Sequence, residues 1–110
     1  MLFRSEAIDR VTVASLAEQL SSSSPPLVVD VRTPAEWEER RIDSSINVPL
    51  SRLAERLDSL PAERPLVVHC ATGYRSAIAA SMMRRGGISS VSDLVGGLDA
   101  WGAAELQTEP

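Results

Sequence analysis

The chain has 110 residues, 44% of them hydrophobic, and a formal net charge of −4. That size supports one small globular domain, and the acidic balance excludes nucleic acid as a main partner, because phosphate binding wants a basic surface. All eleven cationic side chains are arginine, which excludes a Schiff-base lysine or a Walker-type phosphate lysine.

Cys70 is the only cysteine, so there is neither an internal disulfide nor a CxxC pair. One His and one Cys, adjacent in sequence, assemble no zinc cluster. No metal and no cofactor are therefore expected. No apolar run approaches the roughly 20 residues of a membrane span. The stretch Met1-Leu-Phe-Arg-Ser-Glu6 lacks the apolar core of a signal peptide. The expected location is the cytoplasm, away from membranes, where a thiol stays reduced.

In chain order, Val11-Thr-Val13 reads as a short strand. Ala14 to Leu20 places Leu16, Ala17 and Leu20 at helical spacing, with Thr12 or Ser15 as cap. Ser21 to Pro26 breaks the pattern and reads as a surface loop. Leu27 to Val31 reads as a strand apolar on both faces except at Asp30, as in a strand covered by helices on both sides. Thr33-Pro34-Ala35-Glu36 is a helix start with Thr at the N-cap, Pro at N1 and Glu at N3. The short helix to Glu39 should turn Trp37 inward. Ile46 to Val48 reads as a brief strand stopped by Pro49. Ser51 is the expected cap of a helix from Arg52 to Ser59, with Leu53, Leu57 and Leu60 on one face. Leu66 to Val68 reads as a buried strand, and a helix from Tyr74 to Arg85 should end at Gly86-Gly87. Ser90 to Leu94 or Val95 reads as the last strand, and Leu98 to about Leu106 as a closing helix carrying Trp101.

Strands and helices alternate throughout, which predicts an α/β fold with a parallel sheet between two helical layers. Ligands of such sheets bind beyond the carboxyl ends of the strands. Cys70, Arg32 and Gly96-Gly97 all follow strand ends, so three loops should converge on one mouth.

The segment Pro65-Leu-Val-Val-His-Cys-Ala-Thr-Gly-Tyr-Arg-Ser76 is the chemical centre. It sets a lone thiol where a strand gives way to a helix N-terminus. Unpaired backbone N–H groups and the positive end of the helix dipole collect there and favour anions, a thiolate included. Arg75 adds a fixed charge with forked donors. The sulfur is expected at the bottom of a shallow bowl ringed by main-chain N–H groups, ionising below the ordinary value. Gly73 should let the loop curl where a side chain would clash. His69 should face away from Cys70, since neighbouring strand residues point to opposite faces. Asp30 needs a partner, because an unpaired buried charge is expensive. Arg32 shares its face by alternation, loop amides are the second possible partner, and Asp30 and Arg32 are read as bracing the active loop or its neighbours.

Five motifs in order, Val29-Asp-Val-Arg32, Pro34-x-Glu36-Trp37, Ile46-Asn-Val-Pro49, Cys70-Ala-Thr-Gly-Tyr-Arg-Ser76 and Gly96-Gly-Leu-Asp-Ala-Trp101, resemble the single-domain rhodaneses, the sulfurtransferases. The likeness runs from about Val11 to Trp101 and implies one rhodanese-like domain over residues 1–110. The implied three-layer fold has a five-stranded, mostly parallel sheet. The resemblance also implies that Cys70 attacks the outer sulfur of a donor such as thiosulfate, holds it as a persulfide, and passes it to cyanide or a thiol. Substrate contacts would come from Ala71, Thr72, Gly73, Tyr74, Arg75 and Ser76. The implied partners are a small sulfur-containing anion or persulfide donor, and a protein that gives or takes the sulfur. Four residues separate Cys70 from Arg75, whereas phosphatases related to this fold carry five; the tighter loop favours sulfur transfer. A non-catalytic interaction module, and an arsenate reductase or phosphatase of the same fold, are the alternatives. The chain departs from the family pattern at Arg40-Arg-Ile42 and Ser44-Ser45, where members read Gly-His-Ile and then Gly-Ala.

Overall fold

The computed structural model describes residues 8–61 and 63–110. The stretch Met1 to Glu6, read above for a signal peptide, lies outside the described residues. Five parallel strands, β1 (Asp9–Val11), β2 (Leu27–Asp30), β3 (Ile46–Asn47), β4 (Leu66–His69) and β5 (Val91–Leu94), form one sheet in the order β1-β5-β4-β2-β3. The helices are α1 (Val13–Leu20), α2 (Pro34–Glu39), α3 (Leu53–Arg56), α4 (Tyr74–Arg85) and α5 (Gly97–Ala103). Among the described residues, no helix is long and apolar enough to cross a membrane.

Strand alternation splits the core in two. Val29, Leu66, Val68, Cys70 and Val91 pack with Leu53, Ala79, Ala80 and Met83 on the side of α3 and α4. Val28, Val67 and Leu94 pack with Leu16, Leu98 and Trp101 on the side of α1 and α5. The central strands are therefore buried on both faces, which is why Leu27 to Val31 and Leu66 to Val68 read as continuous apolar runs.

Several boundaries differ from the sequence reading. The first strand ends at Val11, Thr12 caps α1 by accepting from Ser15 N–H, and Val13 is already helical. Between Leu50 and Ser59 the chain makes a 3-10 turn, one turn of α-helix and a second 3-10 turn, with no side-chain cap, so Ser51 does not have the role expected of it. The packing of Leu53 and Leu60 holds this segment in place of a cap. Helix α5 starts one residue before Leu98 and ends at Ala103. Trp37 does not enter the core: it is half-buried, donates its indole N–H to Ser45 Oγ at 3.1 Å, and lies under the Arg41 guanidinium, 4.2 Å from the ring centre. Arg41 is thus a stacked group and not a freely solvated charge. Ser44, one of the positions where the chain departs from the pattern it otherwise resembles, sits at φ 72, a left-handed conformation that glycine adopts more readily.

Candidate active site

Two strand-to-helix junctions build the site. The first follows β2. Asp30 has no exposed surface and Arg32 is 5% exposed. Arg32 Nη2 lies 2.7 Å from Asp30 Oδ2, Nε reaches both carboxylate oxygens, and the Arg32 backbone N–H also donates to Oδ1. The same Nη2 donates to the Arg40 carbonyl at 2.6 Å, and Asn47 Nδ2 donates to the carbonyls of Asp30 and Arg32 at 3.0 Å each. The buried pair ties β2, β3 and the end of α2 together, and its guanidinium also borders the depression beside the cysteine loop. His69 shares this face. Its Nδ1 lies 3.1 Å from the Cys70 carbonyl oxygen and its Nε2 3.6 Å from Asp30 Oδ2. Burial pushes the imidazole below its ordinary value, against the pull of the Asp30 charge, which keeps the ring neutral at pH 7. It makes no contact with the sulfur, as alternation required.

The second junction follows β4. Its strand ends at His69, and α4 starts at Tyr74 with Gly73 as N-cap at φ 126. A Cβ at Gly73 would meet nothing within 4 Å, so glycine is needed for this backbone angle and not to avoid the clash expected from sequence. No hydroxyl or carboxylate caps α4. The cap acceptor is the Cys70 sulfur, which accepts from Gly73 N–H at 3.1 Å and from Ser76 N–H at 3.3 Å, with Ser76 Oγ 3.6 Å away. Burial pushes the thiol up, but the Ser76 hydroxyl and the N–H groups of Ser76, Gly73 and Thr72 outweigh it. The net ionisation lies below the ordinary 9.0.

Cys70 is only 1% exposed, so it sits at the base of the loop and not on an open surface. Around it, Thr72 and Tyr74 are exposed, Ala71 and Gly73 are half-buried, and Ser76 is wholly buried beneath the sulfur. Arg75 is not free either. Its Nη1 and Nη2 donate to Glu36 Oε1 at 2.9 Å and Oε2 at 3.2 Å. Glu36 also closes the capping box with Thr33. The Arg75 fork, helped by the Thr33 N–H, holds the Glu36 carboxyl down from 4.5 to about 2 against the cost of burial.

Two contributors were not singled out from sequence. Glu36 read only as a helix N3 residue. Asp93, 5% exposed, accepts from Ser76 Oγ at 2.6 Å; a carboxyl inside the strand Val91 to Leu94 was the available signal, weaker than at Asp30 because Ser92 also interrupts the apolar pattern. The start of α5 meets the cysteine loop, as the place of Gly96-Gly97 at a strand end led one to expect. Leu98 N–H donates to the Cys70 carbonyl at 2.8 Å and Asp99 N–H to the Ala71 carbonyl at 2.9 Å. These bonds hold the loop's carbonyls toward α5. No group of His, Cys, Asp and Glu suited to a metal ion occurs among the described residues.

The Rhodanese-like domain family matches residues 12–104. A "Sulfurtransferase" of Allochromatium vinosum is 31% identical over 94 residues, covering 86% of this chain and 88% of that one. The "Probable adenylyltransferase/sulfurtransferase MoeZ" of Mycobacterium tuberculosis is 36% identical over 101 residues, 90% of this chain and 26% of that protein, so the chain spans about a quarter of that relative. A rhodanese-related protein from Thermoplasma volcanium superposes with a TM-score of 0.85 at 31% identity, over 92% of this chain and 97% of the other. The parallel sheet, its two helical layers and a family match over nearly the whole length agree: the chain belongs to the rhodanese-like domain family.

Proposed function

We propose that the protein is a sulfurtransferase that carries sulfane sulfur on Cys70. The observation behind this reading is the uncapped start of α4, where a thiol takes the position of a capping oxygen. A thiolate there receives two backbone N–H groups and the helix dipole. With thiosulfate as donor, the Cys70 thiolate attacks the outer sulfur. The new S–S bond forms as the bond to the sulfonate sulfur breaks, and sulfite leaves with the electron pair. The persulfide then gives its outer sulfur to cyanide, forming thiocyanate, or to a thiolate, forming a new persulfide, and Cys70 returns as thiolate.

The low exposure of Cys70 bears on the substrate. A slender terminal atom suits a cysteine that is 1% exposed, which favours a singly presented sulfur over a phosphoryl group. The S–S bond sets the transferable atom about 2 Å further out, nearer the mouth. Arg75, once released from Glu36, has the forked donors to hold sulfonate oxygens. The names of the curated relatives also fit a protein as sulfur donor or acceptor, and Thr72 and exposed Tyr74 are placed to meet one.

Intact mass after incubation with thiosulfate tests the reading. Wild type should gain one sulfur atom, lost again on adding cyanide, and Cys70→Ser should gain none. Absence of the gain with thiosulfate and with a persulfidated protein donor, or its persistence in Cys70→Ser, would falsify the proposal.

A further inference from the structure

Among the described residues, Asp93 is the one buried carboxylate close to the sulfur that the transfer steps above leave without a task. It lies on β5 in register with Val68 of the catalytic strand. Its Oδ1 is 2.6 Å from Ser76 Oγ, and Ser76 Oγ is 3.6 Å from Cys70 Sγ. Ser76 has no exposed surface, and among the described residues the only other hydrogen-bond partner of its hydroxyl is the Gly73 backbone carbonyl at 3.3 Å. A serine hydroxyl carries one proton, so it donates to one of these acceptors at a time.

We propose that Asp93 is a positioning residue for Cys70: its carboxylate competes with the sulfur for the single Ser76 hydroxyl proton, and so decides whether Ser76 accepts from the thiol or donates to the thiolate. When Asp93 is ionised, the short bond draws the Ser76 proton to Oδ1, and the Cys70 S–H points at the free lone pair of Oγ. When Asp93 is protonated it donates to Oγ, and the Ser76 proton turns to the thiolate. The two arrangements interconvert through the hydroxyl with no external reagent. The S–H and Ser76 O–H bonds break, a new Ser76 O–H and an Asp93 O–H form, and the negative charge moves from carboxylate to sulfur.

Other groups set the balance. Arg10, paired across the sheet with Asp93 on β1, favours the carboxylate. His69 on β4 also faces it, but its buried ring is neutral and would act in the same direction only when protonated. From α4 the facing group is the Ser76 hydroxyl itself. Burial is the largest influence on Asp93 and pushes its ionisation above the ordinary 3.8, which brings its titration nearer to that of the thiol.

The proposal rests on Cys70 being the reactive thiol, but its test needs no sulfur donor, so it can fail or succeed apart from the transfer reading. Cys70 alkylation by iodoacetamide is followed against pH in wild type, Asp93→Asn, Ser76→Ala and the double variant. Asparagine keeps the shape but neither the charge nor the proton affinity. In Asp93→Asn the midpoint should fall by about one pH unit, a roughly tenfold faster alkylation below both midpoints. In the Ser76→Ala background the same change should alter the rate by less than about threefold. Coincident profiles for wild type and Asp93→Asn overturn the proposal. So does an equal effect in both backgrounds, which would mean a charge acting through space without the hydroxyl. The carboxyl carbon of Asp93, followed by NMR in the unsubstituted protein, gives a second readout. It should show an inflection at the thiol midpoint that Cys70→Ala lacks, and a titration identical in both proteins overturns the coupling.

Discussion

The junctions after β2 and after β4 have the same plan and opposite chemistry. Each leads from a buried strand into a helix N-terminus within a few residues. After β2 everything is closed from within: Thr33 and Glu36 cap α2 reciprocally, and Arg32 neutralises Asp30. After β4 the cap residue is a glycine without a side chain, and the amides of α4 converge on a sulfur. A helix start saturated by its own side chains has nothing left for a ligand. One that waits for a weak, ionisable acceptor gives that acceptor a reason to ionise. The bidentate Glu36–Arg75 contact joins the two junctions, so the saturated one holds the arginine of the other.

Opening the closed junction should cost the most stability. Arg32→Ala leaves the Asp30 carboxylate buried and unpaired, and should lower unfolding free energy by about 3–5 kcal/mol, read from urea midpoints. A loss below about 1 kcal/mol would show that Asp30 finds other donors. The second test acts on the wall of the reactive junction. Gly97 has φ 61, and a Cβ there would stand 2.5 Å from the Cys70 carbonyl oxygen and 2.6 Å from that of Ala71. Gly97→Ala should cost about 2–3 kcal/mol and displace the loop, so that thiol alkylation moves to higher pH. Unchanged alkylation would mean that α5 does not hold the cradle in shape.

The smallest effect concerns the link. Both partners of the Glu36–Arg75 pair are about one-third exposed, at 36% and 33%, so solvent screens much of the attraction. Glu36→Gln should change stability by about 0.5–1 kcal/mol at pH 7. The folded Glu36 ionises lower than the free side chain, so its contribution is full above about 4.5 and lost as pH falls from there to about 2. Wild type should therefore lose stability over that interval more steeply than Glu36→Gln. The same variant frees Arg75, and the KM for thiosulfate should fall by a few-fold, about 1 kcal/mol in binding. A rise would show that Glu36 presents Arg75 to the anion instead of withholding it.

Much of this was legible along the chain because it depends on near neighbours. The capping box at Thr33 and Glu36, the span of α4 from Tyr74 to Arg85, and the opposite faces of His69 and Cys70 follow from spacing and alternation. The Asp30–Arg32 pair is two residues apart and was found the same way. The segment from Leu50 to Ser59 was misread because its leucines sit at helical spacing, while packing admits only one α-helical turn between two 3-10 turns. The resemblance counts Ser76 among the substrate contacts, yet the fold buries its side chain completely.

The order of the residues by itself determined an alternating α/β chain with one thiol at a strand end, since periodicity, caps and breakers act over a few residues. The tertiary structure alone decided that the sulfur is nearly covered, that Glu36 holds Arg75 across 39 positions, and that Asp93 reaches Ser76 across 17. Charges and hydroxyls choose partners by distance in space, and the parallel sheet brings those distances about by setting β5 beside β4 and the start of α2 beside that of α4.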